Sequence, residues 1–207
     1  IGGGPCSYNP EPIADFFDLF YIGEGEISYT ELFTLYKQCR KEKVSRKEFL
    51  RRAASIPGIY VPSMYGVAYK EDGTIASFTP KYEDVPATVK KQIQMDMSHS
   101  VYPEKPVVPF IKATQDRVVL EIHRFCQAGM IYRPVREKDV EVLKHYAYEM
   151  LKNTGHEEIS LSSLSSSDYS QLEELVNFLI DNFKDKGVNI SLPSLRILLL
   201  TLPYGPS

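Results

Sequence analysis

The chain has 207 residues, a net charge of -3 and 43% hydrophobic residues, enough for one sizeable core or two small domains. A charged content of 25% is that of an ordinary globular protein, and the slightly acidic balance gives no global reason to expect nucleic acid. No apolar run approaches the ~20 residues that span a membrane, and no stretch reads as a signal peptide. The odd set Cys6, Cys39 and Cys126 is too widely spaced for a disulfide framework, so reduced thiols and a cytoplasmic location without membrane partners are expected.

Ile1-Gly2-Gly3-Gly4-Pro5 opens without methionine and reads as the end of a buried strand followed by a turn, as in an internal piece of a longer protein. Asn9-Pro10 predicts a short helix with Ile13, Phe16 and Phe17 on one face, then a strand over 18–22 closed by Gly23. An amphipathic helix follows from Ser28 to Lys43, with Leu32, Phe33 and Tyr36 on one side. Ser45 and Glu48 form a capping box that opens a second helix through about Ser55. Lys41, Lys43, Arg46, Lys47, Arg51 and Arg52 read first as a solvated helix face and second as a surface for an RNA or ribosome-related target. Tyrosine-rich residues 60–78 predict a β-hairpin with Asp72-Gly73 at its turn. A polar helix is expected over 86–97, and Pro103, Pro106 and Pro109 mark an extended linker.

From Arg117 the pattern becomes β-α-β-α-β. Strands are expected over 118–122, 158–163 and 188–192. Val140, Leu143, Ala147 and Met150 recur at helical spacing between the first two, and Gly155 stops that helix. Leu172, Leu175, Val176, Leu179 and Phe183 mark the next helix, with Ser167 or Asp168 as its cap and Gly187 at its end. Helices alternating with strands imply a parallel sheet or barrel whose strand-end loops share one edge. Those loops are His123–Gly129, Ser162–Asp168 and Pro193–Arg196, which together present a thiol, a row of hydroxyls and an arginine.

The string from Phe125-Cys126-Gln127-Ala128-Gly129-Met130 to Glu137, with Glu157 to Tyr169 at the expected distance, resembles a family of uncharacterised bacterial radical S-adenosylmethionine (radical SAM) proteins with an N-terminal B12-binding-like domain. Residues 1–26, with the closing Gly-Glu-Gly-Glu at 23–26, resemble the last strand–helix–strand unit of that domain, where a glycine turn lets backbone approach a corrin or nucleotide. The resemblance implies an α/β fold: a partial parallel (β/α) radical-SAM-type barrel preceded by the end of a flavodoxin-like B12-binding-like domain. It implies a division into 1–43, the end of that domain and its following helix; 44–112, connecting helices, hairpin and linker; and 113–207, the first part of the barrel.

In that family the loop after the first barrel strand carries Cys-x3-Cys-x-aromatic-Cys, whose thiolates hold a [4Fe–4S] cluster. Cys126 matches the third cysteine and Phe125 the aromatic before it, whereas the first two cysteines are absent. About seven further family residues would fall between Arg124 and Phe125, so the resemblance implies that these two are not native neighbours. Ser162 and Ser163 occupy the place of the glycine-rich motif that binds the amino group of S-adenosylmethionine, departing from its glycine form but agreeing with the close family's Ser-Leu-Ser-Ser-Leu-Ser. Ser191, Ser194 and Arg196 sit where the resemblance suits contacts to the ribose or carboxylate of S-adenosylmethionine. The implied activity is reductive cleavage of S-adenosylmethionine to a 5′-deoxyadenosyl radical, on a substrate the sequence does not identify. Cobalamin would depend on a cobalt-ligand motif upstream of Ile1. A binding or scaffold module that has lost the cluster is the alternative, supported by the missing cysteines.

Overall fold

A computed structural model of the chain describes residues 1–2, 7–111, 114, 116–124 and 133–195. The chain forms two compact units, residues 1–94 and 95–207.

In the first unit, strand β1 (Phe20–Tyr21) pairs antiparallel with β2 (Ile59–Tyr60), and Gly2 makes a parallel bridge to Tyr21 on the other side. The strand-end character of the first residues therefore has a partner, but Ile1 and Gly2 are exposed, not the end of a buried strand as expected. The expected short helix is a 3-10 turn, Glu11–Phe16, which half-buries Ile13 but leaves Phe16 82% exposed. Helix α1 spans Gly25–Glu42 and stops where Lys43 turns left-handed at φ 55°. Its inward stripe is Ser28, Leu32, Leu35 and Cys39, at helical spacing, whereas Phe33 and Tyr36 are exposed. This corrects the expected stripe by about one position. Helix α2 (Arg46–Ala53) begins as expected, with the Ser45 hydroxyl accepting from the Glu48 amide at 3.2 Å. Strands β3 (Tyr65–Tyr69) and β4 (Ile75–Pro80) form the expected antiparallel hairpin, with Gly73 at φ 79° in its turn.

The polar helix expected over 86–97 does not form. Gln92 instead bridges Gly23, donating its amide to Ile22 O at 3.0 Å and accepting from the Glu24 amide at 3.0 Å. An extended segment that satisfies its backbone against a neighbour has no need of helical hydrogen bonds, and here that pairing prevails although Val89, Ile93 and Met97 recur at helical spacing. The only helical turn nearby is a 3-10 turn at Met97–His99.

In the second unit, β5 (Val118–Glu121), β8 (Glu158–Ser162) and β9 (Asn189–Ser191) form a parallel sheet in the order β5-β8-β9. Helix α3 (Val140–Thr154) connects the first two and α4 (Leu172–Phe183) the last two. The Asp139 carboxylate caps α3 by accepting from the Glu141 amide at 2.9 Å, and Gly155 ends it at φ 71°. Val118, Leu120, Ile122, Ile159 and Leu161 pack against Leu143, Ala147, Met150, Leu175, Leu179 and Phe183. Each such buried aliphatic side chain contributes roughly 1.5–3 kcal/mol relative to exposure. The unit is thus mixed α/β with a parallel three-stranded sheet.

Tyr102, from the proline-rich segment, closes the outer edge of β5. Its hydroxyl donates to Val119 O and accepts from the Glu121 amide at 3.2 Å, the two groups that face away from β8. Its ring stacks on Tyr146 at 5.1 Å, with the fully buried Lys138 Nζ 4.2 Å from its centroid. The extended linker is therefore anchored at Tyr102 and again at Glu104, whose carbonyl accepts from Asn153 Nδ2 at 3.0 Å, while Val107 and Phe110 stand exposed beyond.

Two substitutions separate the glycines. A Cβ at Gly23, where φ is 126°, would lie 2.2 Å from Gln92 O, whereas one at Gly155 would meet nothing within 4 Å. Gly23→Ala is expected to destabilise the chain by at least about 3 kcal/mol in urea denaturation and Gly155→Ala by only about 1 kcal/mol. Equal losses would contradict the backbone contact at Gly23. Tyr102→Phe, which strips both hydrogen bonds from the β5 edge, should cost about 1–3 kcal/mol in the same measurement.

Candidate cofactor site

The register Glu121↔Ser162 and Ser160↔Ser191 brings the C-terminal ends of β5, β8 and β9 to one edge of the sheet. Alternation along each strand then sorts the side chains. The odd-and-even pattern sends Leu120, Leu161 and Ile190 toward the helices and leaves Val119, Ser160 and Ser191 as one row on the opposite face. Glu121 and Ser162 form a second row one step nearer the C-terminal edge. A parallel sheet usually buries apolar side chains on both faces, so a serine-rich face beside the strand-end loops is the candidate place for a polar ligand.

Ser162 and Ser191 lie on this polar face at their strand ends. Ser163 stands just beyond β8, its Oγ 3.1 Å from Ser166 Oγ. Ser194 follows β9 in a left-handed conformation, φ 60°, and its carbonyl accepts from the Ser166 amide at 3.1 Å. The loops after β8 and β9 therefore touch, as the topology requires. Phe125, Cys126 and Arg196, together with the apolar tail after Arg196, lie outside the described residues, and so does the junction of Arg124 with Phe125.

The ends of the segment that carries Cys126 are described. His123 is buried in β6 (His123–Arg124), which pairs antiparallel with β7 (Arg136–Glu137), so the intervening segment leaves and returns at one point. The Arg124 guanidinium grips the Glu121 carboxylate with two hydrogen bonds, 3.0 and 2.8 Å. Glu137, at the far end of that ladder, accepts from the Ser170 amide at 3.1 Å and from its hydroxyl. The Tyr169 hydroxyl donates to Lys138 O at 2.8 Å. Segment 166–170 is consequently tied both to the loop after β9 and to the return of the Cys126 segment. It does not cap α4 with Ser167 or Asp168 as expected, because α4 starts later, at Leu172, with Gln171 before it and no side-chain cap.

Glu121, Ser160 and Ser166 were not legible as site residues from motif matching. Strand alternation alone could have found the first two, by pairing them with Ser162 and Ser191. Ser166 carried no local signal, since its importance comes from a contact 27 residues away along the chain.

The donor set fits S-adenosylmethionine better than it fits a cluster. Hydroxyls of Ser162, Ser163 and Ser191 suit ribose and ammonium groups, and the buried Ser165 hydroxyl has no hydrogen-bond partner among the described residues. A [4Fe–4S] cluster needs several thiolates close together. Residues 95–207 contain one cysteine, Cys126, while Cys39 is buried on α1 in the first unit. Among the described residues no group of three histidine, cysteine or acidic side chains could hold a metal ion. The local thiolate set of the cluster motif is therefore not present in this chain. Among those residues, too, no helix is long and apolar enough to cross a membrane.

Residues 1–62 match the family model described as radical SAM proteins, N-terminal. The chain is also 29% identical over 213 aligned positions to a protein of Methanocaldococcus jannaschii named uncharacterized protein MJ0966. That alignment covers 95% of this chain and 37% of the relative, so the chain spans little more than a third of its relative's length. Because the 213 aligned positions exceed the 207 residues of the chain, the relative carries residues within the matched span that this chain lacks.

Burial, aided by the charges of Glu137, Asp139 and Glu174, pushes the Tyr169 hydroxyl well above its ordinary range. A raised folded-state value means that its contribution is fully present below the unfolded value of about 10 and is lost as pH rises through the folded value. Tyr169→Phe should therefore cost about 0.5–1.5 kcal/mol at neutral pH, with the difference from wild type shrinking above pH about 10 in urea titrations. A difference that stays constant to high pH would contradict the burial of this donor.

Proposed function

We propose that this chain is part of a radical SAM protein whose second unit begins the barrel and seats S-adenosylmethionine at the C-terminal edge of β5, β8 and β9. One observation carries the reading: the rows Val119–Ser160–Ser191 and Glu121–Ser162, polar except for Val119, open onto strand-end loops that already touch. The match of residues 1–62 to the N-terminal radical SAM model supports the same superfamily. On this reading 113–207 is the first part of the barrel, and the chain order β5-β8-β9 is the order in which barrel strands are laid down.

The roles follow from side-chain chemistry. Ser162 and Ser163 accept from the ammonium group of the ligand, and Ser191 and Ser194 offer hydroxyls to its ribose. Arg196 is assigned to the carboxylate, and the backbone of Phe125 to the adenine. A cluster, where the protein holds one, supplies the electron for cleavage of the ligand. Cys126 offers one thiolate toward it and no more, so the residues of this chain are assigned to binding and orienting S-adenosylmethionine. The basic residues of α2 are a weaker basis for an RNA-related target: Arg51 is paired with Asp84 at 3.0 Å, and Arg52 with Glu48 and Glu42 at 2.9 and 3.1 Å.

The second reading, a binding or scaffold module that has lost its cluster, is favoured by the single cysteine of 95–207. Calorimetric titration with S-adenosylmethionine, before and after anaerobic incubation with iron and sulfide, tests both. The proposal expects saturable binding that Ser163→Ala weakens roughly three- to tenfold, the loss of about one hydrogen bond. Absence of binding in both conditions would overturn it. Iron and sulfide retained after desalting, and lost in Cys126→Ser, would support a cluster-bearing protein over the scaffold.

A further inference from the structure

We infer that Ser166 is a positioning residue, a clasp that sets the loop after β8 against the loop after β9 so that Ser163 and Ser194 address one ligand. This deepens the proposed function and rests on it.

The geometry is specific to this side chain. Ser166 is fully buried, and its Oγ donates to Pro193 O at 2.6 Å. The same Oγ lies 3.1 Å from Ser163 Oγ, and the Ser166 amide donates to Ser194 O at 3.1 Å. One residue thus holds both carbonyls of Pro193 and Ser194 and, through the same hydroxyl, orients Ser163. A hydroxyl has one proton and two lone pairs. Since the Ser166 proton goes to Pro193 O, Ser163 must donate to Ser166, and this leaves the Ser163 lone pairs for an external donor. The clasp therefore fixes the polarity of Ser163 as an acceptor, which is the polarity an ammonium group requires. Ser194 is held at φ 60°, a conformation that a serine rarely adopts and that the hydrogen bond to its carbonyl helps to retain.

The rest of the segment explains why the clasp does not drift. The turn Ser166–Asp168 leads directly to Tyr169 and Ser170, which are bound to Lys138 O and the Glu137 carboxylate. Ser166 is therefore presented from a segment fixed at its other end, and loss of its hydroxyl should free the loop after β9 more than it disturbs the helices.

The test compares wild type, Ser166→Ala and Ser166→Thr by amide hydrogen exchange without ligand and by calorimetry with S-adenosylmethionine. Ser166→Ala is expected to keep the wild-type thermal midpoint within a few degrees. It should exchange faster across 163–168 and 194–195 and bind the ligand roughly three- to tenfold more weakly. Ser166→Thr, which keeps the hydroxyl, should recover much of the affinity and protection. Ligand binding by Ser166→Ala equal to wild type would overturn the assignment of Ser166 while leaving the proposed function intact. Weaker binding with unchanged exchange at 194–195 would overturn the clasp as its cause. Failure of the wild-type chain to bind at all would overturn the proposed function and, with it, any role of Ser166 toward this ligand.

Discussion

The constraint on which the second unit depends is the parallel register of β5, β8 and β9. With Leu120 opposite Leu161, and Ile159 between Val118 and Ile190, every alternate side chain is committed to the helices. Those helices cover the apolar face, and the residues between, Val119 and Glu121 of β5 with Ser160, Ser162 and Ser191, are delivered to the other side. A shift of one residue in any strand would exchange the two sets, placing serine hydroxyls in the core and leucines on the open face. The burial of Leu120, Ile159 and Leu161 thus fixes the face on which Ser160, Ser162 and Ser191 stand.

Among the described residues, the outer edge of β5 is knitted by side chains. Tyr102 uses one hydroxyl to complete two backbone groups of β5, and its ring lies against the buried Lys138. Lys138 hands its carbonyl to Tyr169, and the same short segment reaches Ser194 through Ser166. The contacts form a continuous path from the linker, through the return of the Cys126 segment, to the loop after β9. A ligand seated on the polar face would meet loops whose positions are already coupled, so little ordering would remain to be done on binding.

Much of this was legible in the sequence, for reasons that differ by element. Helix α3 could be read from Val140, Leu143, Ala147 and Met150 because its caps, Asp139 and Gly155, agree with its apolar spacing. The strands and their shared edge followed from the β-α-β-α-β order, and with them the places of Ser162, Ser163, Ser191 and Ser194. The segment 86–97 was misread because its backbone is satisfied by Ile22 and Glu24, a contact some 70 residues distant that no local pattern records. The stripe of α1 was misplaced for a related reason: Phe33 and Tyr36 are more apolar than Ser28, yet the helix turns Ser28 and Cys39 inward. Tyr102 and Ser166 acquire their significance from tertiary contacts and carry no motif.

The central claim is that the C-terminal edge of β5, β8 and β9 is where S-adenosylmethionine binds. Ultraviolet photolabelling of the chain with methyl-labelled S-adenosylmethionine, followed by peptide mapping, locates that contact directly. Label is expected in peptides spanning 119–124, 160–166 or 191–195, suppressed by excess unlabelled ligand. Competable label confined to residues 1–94 would contradict it.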